Sequence, residues 1–410
     1  MRFRFFNNSE PVVPFFRDLV PHLIENGVHV DIVVSKALYR AGQPLREHFR
    51  DTPGVRILET PSFGASPSSA AGKFVVSVWY VKFAAIRSLF GRSVDLNVFL
   101  TQPPLFGLWG YVLRLFRHQP YVCVLMDIYP HLLAALDFMP RDSFRFRMAL
   151  AIARHTLRNA EKIVIIGRCM RERVIDLGVA SEKIHFAANW TDYDALFPVS
   201  HDDNTFRCSQ EWRNRFVVMY AGNIGYPQAF GDLLAAAKTL NGRDDIQFVF
   251  VGGGARGAHV QATATELGLT NVAFLPFQHS RHTLSQIMSA ADLHFVTLRD
   301  ECVGLAVPSK AYSAFAAGRP VLYQGAAEGE IAMLVREHSA GTVLPTGRPD
   351  RLAEAIRHYA DDRDGWAKEC EAARALANLN RKGRVSVLRL AEVFDEASAT
   401  SNPRRRRATN

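Results

Sequence analysis

Cysteine is scarce in this chain, which has five cysteines in 410 residues, all of them far apart. They form no Cys-x-x-Cys pair and no metal-ligand spacing with histidine, which excludes a zinc ribbon and a dense disulfide framework. No other metal motif stands out, so the sequence predicts a protein that needs no metal ion. Reduced thiols and an N-terminal segment, MRFRFFNNSE, that lacks the apolar core of a signal peptide predict a cytoplasmic protein.

Long apolar runs are also missing, because no stretch reaches the roughly 20 residues that a membrane-spanning helix needs. The most apolar segment, residues 72–92, is interrupted by Lys82 and Arg87. The cations of this segment scatter around a helical wheel, which favours a buried or groove-lining helix over one that lies in a membrane interface. Both alternatives remain open from the sequence.

Acidic residues are too few to balance the basic ones, and the net charge is +9. Residues 1–200 hold 24 Lys and Arg against 17 Asp and Glu, whereas residues 201–410 hold 25 against 23, so most of the excess belongs to the first half. No helix-turn-helix, RNP-like or zinc-knuckle pattern is found, so nucleic acid is not expected as a partner. Helical spacing in the first half predicts one basic face, which is either solvated or a surface for an anionic membrane, and it consists of Arg147, Arg154, Arg158 and Lys162.

Short apolar segments rich in β-branched and aromatic residues alternate with longer amphipathic segments along the chain. Continuous apolar strands separated by helices are typical of a parallel sheet covered on both faces. The first half has RFRFF, VHVDIVVS, VDLNVFLT, YVCVLMD and KIVIIG, and the second half has RFVVMYAG, DIQFVFVGGG, NVAFLPF, DLHFVTL, RPVLYQG and AGTVLP. The predicted fold class is α/β, with two Rossmann-like, doubly wound domains that face each other across a cleft.

The polar, turn-rich stretch NWTDYDALFPVSHDDNTF has no periodicity and predicts a boundary between these domains. We expect an N-terminal domain of residues 1–190, a linker of residues 191–206 and a C-terminal domain of residues 207–383. A last helix at about residues 384–398 is expected to pack back on the first domain. Residues 399–410 contain four arginines and are expected to be a disordered basic tail.

Glycines follow two strands of the second domain. The segment GGGARG, with Gly252 and Gly254, matches the dinucleotide fingerprint, but no acid stands about 20 residues further on to bind a ribose hydroxyl. We interpret these glycines as a tight strand-to-helix turn at the ligand, and a nicotinamide-dependent oxidoreductase remains an alternative. In YAGNIGYPQAF, Gly222, Asn223 and Gly225 would let the backbone approach a diphosphate.

A carboxylate and a lysine flank the start of a helix in ECVGLAVPSKAYSAFAAGRPVL. Glu301 lies in the loop after a strand, and Ser309 and Lys310 lie in the first helical turn behind Pro308. A cation at this point opposes the helix dipole, which makes sense if an anion binds there. The alternatives are an exposed helix lysine and a solvated loop acid.

Further candidate site residues follow strands of both domains. Asp127 follows the strand YVCVLMD of the first domain, where it would orient or deprotonate a hydroxyl or, alternatively, cap the turn. Tyr129 and His131 are lesser candidates on the same surface. In FLPFQHSRH of the second domain, Phe277 is a candidate for contact with a base, or a core residue, and Arg281 is available to phosphate.

Taken in order, these segments resemble the retaining glycosyltransferases of family four, which have the GT-B fold. The segments that carry the resemblance cover most of the chain and are PFFRDLVPHLIENGVHVDIVVS, DIYP, NWTDYDALFP, YAGNIG, FVGGGARG, NVAFLPFQHSRHTLSQIMSAADLHFVTLRDE and PSKAYSAFAAGRPVL. The segments TQPPLFGLWGYVLR, MDIYP and PSK are most similar to the branch that builds bacterial lipopolysaccharide, capsule and colanic-acid-type polysaccharides.

The resemblance implies roles for several residues and contains two departures from the family pattern. The family places one glutamate on the donor sugar, which Glu301 matches, and a second on the nucleotide ribose, where Ser309 stands. An arginine and a lysine commonly hold the diphosphate, and Asn223 and Gln228 stand at those places. Lys310 is the nearest replacement and would offset charge on the leaving diphosphate.

The function predicted by this resemblance is the transfer of a sugar, with retention, from a UDP- or GDP-linked donor to a saccharide or lipid-linked saccharide in bacterial cell-surface polysaccharide biosynthesis. Asp127, Glu301 and Lys310 are the expected catalytic residues, and no cofactor beyond the donor is expected. Such an acceptor predicts a position at the inner face of the plasma membrane. A sugar-nucleotide epimerase of the same fold and a catalytically degenerate partner subunit are the alternatives.

Overall fold

Two parallel sheets organise the chain, and each is the centre of one structural unit. The computed structural model describes residues 1–8, 13–35, 48–61, 70–276, 283–379 and 384–399. Met1–Ala188 and Arg384–Asn410 make up the first unit, and Asn189–Gly383 makes up the second. The predicted class of two doubly wound α/β domains is confirmed.

Seven strands form the sheet of the first unit. They are β1 (Arg2–Phe6), β2 (His29–Ser35), β3 (Val55–Thr60), β4 (Leu96–Leu100), β5 (Tyr121–Leu125), β6 (Lys162–Ile165) and β7 (Ile184–Phe186). All pair in parallel, in the order β3-β2-β1-β4-β5-β6-β7. The direction of winding reverses between β1 and β4, which opens a crevice at the carboxyl ends of the central strands.

Alternate side chains of β1 pack on opposite faces of the sheet, as the pleat requires. Phe3 and Phe5 contact the ring of Phe394, whereas Phe6 stacks on Phe99 with ring centroids 4.5 Å apart. All five rings are buried. Because both faces of the sheet are covered, the phenylalanine side chains on both faces of the strand are buried.

The helices of the first unit flank this sheet. Those between its strands are α1 (Val13–Glu25), α2 (Ala70–Phe90), α3 (Leu108–Arg117), α4 (His131–Ala135), α5 (Phe144–Asn159) and α6 (Arg171–Asp176). Helix α3 contacts both α2 and α5, so these three helices form one layer. Within the described ranges no helix combines the length and the hydropathy that crossing a membrane requires.

The second unit has a sheet with the same kind of winding. Its strands are β8 (Phe216–Asn223), β9 (Ile246–Gly253), β10 (Val272–Leu275), β11 (Leu293–Thr297), β12 (Val321–Gln324) and β13 (Gly341–Leu344), and they pair in parallel in the order β10-β9-β8-β11-β12-β13. The winding reverses between β8 and β11. The loops after β8, β9 and β11 therefore meet at one edge of this sheet.

The helices of the second unit cover both faces of its sheet. They are α7 (Thr205–Ser209), α8 (Gly231–Thr239), α9 (Gly257–Glu266), α10 (Leu284–Ser289), α11 (Lys310–Ala316), α12 (Glu330–His338), α13 (Pro349–Asp361) and α14 (Arg363–Leu379). One further helix, α15 (Arg384–Ala399), belongs to the first unit, where it contacts α1 and strands β4, β5 and β6.

The stretch predicted as a linker, residues 191–206, is instead packed on the second unit. The amide of Phe197 donates a hydrogen bond to Ser285 Oγ over 2.9 Å, and the amide of Val199 donates one to Ser289 Oγ over 3.0 Å. Its irregular, polar sequence therefore reflects hydrogen bonding to side chains of α10, which the lack of periodicity could not distinguish from a free linker.

Candidate active site

The loops after β8 and β9 are joined by backbone hydrogen bonds at the carboxyl edge of the second sheet. The strand register pairs Gly222 with Gly252. Beyond the strands, the amide of Ile224 donates to the carbonyl of Gly253 over 2.8 Å, and the amide of Arg256 donates to the carbonyl of Ile224 over 3.0 Å. The two glycine-containing segments found in the sequence therefore form one surface.

The glycines of GGGARG are required by the close approach of these two loops. A Cβ atom on Gly252 would overlap the carbonyl of Gly222, and one on Gly254 would overlap Asn223 Oδ1 and the carbonyl of Ile224. Both glycines also have positive φ angles, of 136° and 151°, which other residues rarely adopt. Backbone packing thus accounts for them, in agreement with the interpretation as a tight turn.

The amide of Gly225, predicted to approach a diphosphate, already has a partner within the loop. It donates to Gln228 Oε1 over 2.9 Å, and both residues are buried. Gln228, at a place where the family commonly has a cation, therefore holds the turn together. The prediction that the Gly225 amide is available to an anion is not supported by this geometry.

Lys310 lies directly across the first of these loops. It is the first residue of α11, and its side chain passes over Gly222, where an added Cβ would stand 2.6 Å from Lys310 Cε. Its Nζ is 5.1 Å from the centroid of the Tyr220 ring. The Tyr220 hydroxyl donates to the carbonyl of Asn223 over 2.5 Å, so the ring beneath the ammonium is tied to the same loop.

Burial in this position lowers the pKa of Lys310 to about 8. An ammonium loses hydration there, and none of the carboxylates in the described part of the chain forms an ion pair with it. A bound anion would reverse the shift, because an opposite charge favours the ammonium form. Lys310 is therefore a half-buried cation on a glycine turn, which is chemically suited to an anionic ligand.

Glu301 and Ser309 are both exposed and lie in the loop between β11 and α11. Glu301 lies in a short 3-10 turn, Asp300–Cys302, where Arg299 Nε approaches its Oε2 to 3.4 Å. The Arg299 amide donates to the carbonyl of Pro227 over 2.8 Å, which ties this loop to the one that follows β8. Ser309 precedes α11 without a side-chain capping bond. Both side chains are thus accessible to a ligand.

Asp127 follows β5 at the carboxyl edge of the sheet in the first unit. Burial raises the pKa of its carboxyl to about 6. The hydroxyl of Thr101 accepts hydrogen bonds from the amides of Met126 and Asp127, over 2.7 and 3.4 Å. Burial and the neighbouring Asp127 raise the pKa of Tyr129, which keeps its hydroxyl protonated.

An apolar recess beside Asp127 explains the shift of its pKa. The recess has a volume of about 60 Å³, and Asp127 and Tyr129 lie in its otherwise mostly apolar lining with Phe106 and Leu157. A carboxylate next to such a surface loses hydration, so its neutral form is favoured. His131, one turn later, is half-buried against Phe146, and burial lowers its pKa.

Two predicted ligand residues, Phe277 and Arg281, lie outside the described residues. Sequence reasoning missed two others, Tyr220 beneath Lys310 and Arg299 beside Glu301, and it missed the hydrogen bond of Gln228 to the Gly225 amide. An aromatic two residues before a glycine turn was a usable signal, because Tyr220 and Gly222 share one face of the strand. The contacts of Gln228 and Arg299 depend on tertiary structure and had no such signal.

Two family models match the chain. Residues 12–190 match the model described as "Glycosyl transferase 4-like domain", and residues 215–362 match the model described as "Glycosyl transferases group 1". The first match lies almost wholly in the first unit and the second lies in the second unit. Each unit therefore has a counterpart in the same enzyme family.

Two curated proteins are similar in sequence. The chain is 28% identical over 272 residues to "Probable glycosyltransferase WbjE" of Pseudomonas aeruginosa, which covers 65% of this chain and 66% of that protein. It is 29% identical over 191 residues to WcaI of Escherichia coli (strain K12), named for colanic acid biosynthesis, which covers 46% of each. The chain thus spans just under two thirds of one relative and about half of the other.

Solved structures share the architecture over nearly the whole chain. The crystal structure of Anabaena Alr3699/HepE in complex with UDP-glucose matches with a TM-score of 0.71 and 18% identity, covering 97% of this chain and 100% of that one. At this level of identity the likeness shows a common fold. The two sheets of this chain therefore have the arrangement of strands that such two-domain proteins use.

Proposed function

Because the chain belongs to the glycosyltransferases of family four, which have the GT-B fold, we propose that it transfers a sugar from a nucleotide-sugar donor to a saccharide or lipid-linked saccharide acceptor. The anomeric configuration of the sugar is retained. The product belongs to a bacterial cell-surface polysaccharide, as the name of the E. coli relative suggests. The second unit binds the donor, and the first unit binds the acceptor.

The observation that carries this proposal is the setting of Lys310. Its ammonium is held over the Tyr220 ring and against Gly222, and burial lowers its pKa to about 8. A leaving nucleoside diphosphate develops negative charge as the bond from its oxygen to the sugar C1 breaks. A cation fixed at that point stabilises this charge more than it stabilises the intact donor, which is the condition for lowering the barrier.

Glu301 and Ser309 complete the donor side of the site. Glu301 accepts hydrogen bonds from hydroxyls of the donor sugar, and its exposed carboxylate beside Arg299 is accessible for that contact. Ser309, or its backbone, contacts the ribose or a phosphate. Lys310 takes over the role that an arginine and a lysine commonly share, since Gln228 is engaged with the Gly225 amide.

Asp127 is the residue proposed to act on the hydroxyl group of the sugar acceptor. Its pKa of about 6 leaves it ionised near neutral pH, and its basicity exceeds that of an ordinary aspartate. It accepts a hydrogen bond from the acceptor hydroxyl and draws the proton as that oxygen bonds to C1. Attack occurs on the face from which the diphosphate leaves, so the configuration at C1 is retained.

UDP is the first nucleotide to test, because the Anabaena structures contain UDP or UDP-glucose. Titration calorimetry of the full chain with UDP, GDP, dTDP and NAD is the experiment. We expect one nucleoside diphosphate to bind, and Lys310→Ala to weaken that binding by about 1 to 3 kcal/mol, as for a charge-assisted hydrogen bond. Lys238→Ala, which removes an exposed lysine at the end of α8, is the matched control and should bind normally.

Other outcomes of the titration contradict the proposal in different ways. Binding that survives Lys310→Ala would overturn the assignment of the phosphate contact to Lys310. Binding of NAD alone would indicate an oxidoreductase. If no nucleotide binds, a degenerate partner subunit replaces the transferase, and conversion of a UDP-sugar without acceptor would indicate an epimerase.

A further inference from the structure

The layer formed by α2, α3 and α5 in the first unit carries an unusual density of exposed apolar side chains. Eight of the 14 large hydrophobic side chains that are exposed among the described residues lie on these three helices. Exposed apolar residues grouped in this way mark interaction surfaces, whereas scattered ones are ordinary. The eight are Phe74, Val75, Ile86, Phe90, Leu115, Phe116, Phe144 and Met148.

The charged side chains of the same three helices are all basic. Their sequences contain nine Lys and Arg residues and neither Asp nor Glu. We call this outer surface the basic layer. Its cations on the described side chains are Lys82, Arg87, Arg114, Arg117, Arg145, Arg147, Arg154 and Arg158.

The predicted basic face of α5 is partly corrected by the structure. Arg147, Arg154 and Arg158 lie on the exposed side of α5. Lys162, by contrast, is the first residue of β6, where its Nζ pairs with Glu396 of α15 over 3.0 Å. Lys162 is therefore not part of the basic layer, because the helix ends three residues before it.

Helix α2 presents apolar and basic residues together along one stripe. Val75, Trp79, Lys82, Ile86 and Phe90 follow each other at spacings of four, three, four and four, which is one face of a helix. Lys82 Nζ lies 5.5 Å from the centroid of the Trp79 ring, and Phe90 is 80% exposed. The outer side of this helix is therefore not buried, and the groove-lining and interfacial alternatives both stay open.

Contacts between the helices make the basic layer continuous. Trp109 Nε1 donates to Ser88 Oγ over 2.7 Å, which joins α3 to α2. Tyr111 meets His155 edge to face, with ring centroids 4.3 Å apart, which joins α3 to α5. Helix α3 thus contacts both of its neighbours in the layer.

Acidic residues next to the basic layer neutralise little of its charge. Glu161, just beyond α5, approaches Arg114 to 3.4 Å. Asp137 and Asp142 are exposed in the loop that precedes α5. The basic layer therefore keeps a large positive excess beside its exposed rings.

We propose that the basic layer docks on an anionic lipid bilayer. Aromatic and aliphatic side chains interspersed with cations, and free of carboxylates, match the boundary between anionic headgroups and acyl chains. Helix α2 alone is about 30 Å long at 1.5 Å per residue, so the contact area is extended and not a pocket for a peptide. This surface is separate from the nucleotide contacts, so it can be tested without donor or acceptor.

Flotation of the full chain with lipid vesicles tests the proposal. We expect binding to vesicles of mixed phosphatidylcholine and phosphatidylglycerol, and little binding to phosphatidylcholine alone. Each basic residue near an anionic surface contributes about 1 kcal/mol, so Lys82→Glu with Arg87→Glu should weaken binding by about tenfold or more. Added NaCl should weaken binding of the unaltered chain in the same direction.

The aromatic residues are tested by Phe90→Ala with Phe116→Ala, which should also weaken binding by about tenfold but leave its salt dependence in place. Both side chains are largely exposed, so the fold should tolerate their removal. The matched control for this pair is Val385→Ala with Leu388→Ala on α15. Both pairs remove exposed apolar side chains from the same unit.

The matched control for the charge pair is Arg351→Glu with Arg357→Glu on α13, which removes the same charge from exposed positions of the second unit. Equal binding to neutral and anionic vesicles, no binding to either, or equal losses in the control variants would overturn the proposal. So would a stable dimer that Phe90→Ala with Phe116→Ala dissociates, since a second copy would then cover this surface. The variants that no longer bind vesicles should still bind UDP. That outcome would show that the vesicle result is independent of the transferase proposal.

Discussion

Burial shifts the pKa of Asp127 in the first unit and of Lys310 in the second towards each other, and both side chains lie at the carboxyl edges of their sheets. In the first unit burial raises the pKa of Asp127 to about 6, and in the second it lowers the pKa of Lys310 to about 8. Burial favours the neutral form of both groups. The result is an acid that is a stronger base than usual and a cation that loses its proton more readily than usual.

The loops that hold these two groups are built differently. In the second unit the loops after β8 and β9 approach so closely that glycine is required at positions 252 and 254, and a Cβ on Gly222 would meet Lys310 Cε. In the first unit the loop after β5 is held by the Thr101 hydroxyl, which accepts two backbone amides. Lys310 therefore depends on backbone packing for its position, whereas Asp127 depends on a side-chain hydrogen bond and an apolar recess.

The largest effect is expected from Asp127→Asn. A positioned general base contributes at least about 10²-fold to the rate, so kcat with donor and acceptor should fall by roughly that factor. In the unaltered chain kcat/KM should decline as the pH falls through about 6, where the carboxylate is protonated, and this decline should be absent in the variant. Steady-state kinetics between pH 5 and 8 provide the measurement.

A separate measurement tells this role apart from a structural one. Burial penalises the carboxylate but not an amide, so Asp127→Asn should raise the free energy of unfolding at pH 7, and the gain should disappear as the pH falls below about 4. Nucleotide binding should not change. Asp142→Asn, at an exposed position of the same unit, is the control. Unaltered kcat in Asp127→Asn would remove Asp127 from the mechanism.

A smaller effect is expected from Gly222→Ala, which disturbs Lys310 without removing its charge. The new methyl would stand 2.6 Å from Lys310 Cε on a backbone with φ of 130°. Backbone strain of this kind costs about 1 to 3 kcal/mol, and displacement of the ammonium should weaken nucleotide binding by about tenfold. Calorimetry and denaturant unfolding measure the two losses.

Gly242→Ala is the matched control, because no atom outside its chain neighbours lies within 4 Å of the new Cβ and its φ is not positive. It should leave both quantities nearly unchanged. If Gly222→Ala loses stability but binds nucleotide normally, the contact between Lys310 and this loop is structural only. The comparison of the two units would then rest on Asp127 alone.

The smallest expected effect is the uptake of a fraction of a proton when the nucleotide binds. Because burial holds the pKa of Lys310 at about 8, binding of a diphosphate at pH 8 should raise that pKa and take up at most about half a proton per site. Affinity should fall as the pH rises through 8. Calorimetry in buffers of different ionisation enthalpy measures the uptake. Lys310→Arg, which keeps its charge at this pH, should show none, and equal uptake in that variant would assign the proton to another group.

Most of the strands were predictable, and the exceptions have a physical reason. The eleven predicted segments all form strands, and most of them are buried on both faces. The two missed strands, β3 and β7, lie at the edges of the first sheet. β3 is mostly half-buried and β7 has three residues, so neither shows a continuous apolar run.

The sequence predicted which residues belong to the candidate site better than it predicted the contacts that they make. Glu301, Ser309 and Lys310 stand after a strand or at a helix start of the second unit, and the carboxyl edge of its parallel sheet brings its loops together. Asp127 stands after a strand of the first unit, at the corresponding edge of the other sheet. The partner of the Gly225 amide was not predictable, because Gln228 reaches back to it from three residues further on. A side chain that bonds a backbone group three residues away leaves no signature in spacing.

By itself the sequence determined the fold class with its two parallel sheets, because apolar periodicity and glycine turns are local properties that parallel sheets require. The family followed from the resemblance of its segments to known glycosyltransferases. The tertiary structure alone decided that Lys310 crosses Gly222, that a recess beside Asp127 raises its pKa, and that exposed rings and cations share one surface. These features depend on which distant segments exclude water from a given side chain. Burial is a property of the packed chain and not of any single segment.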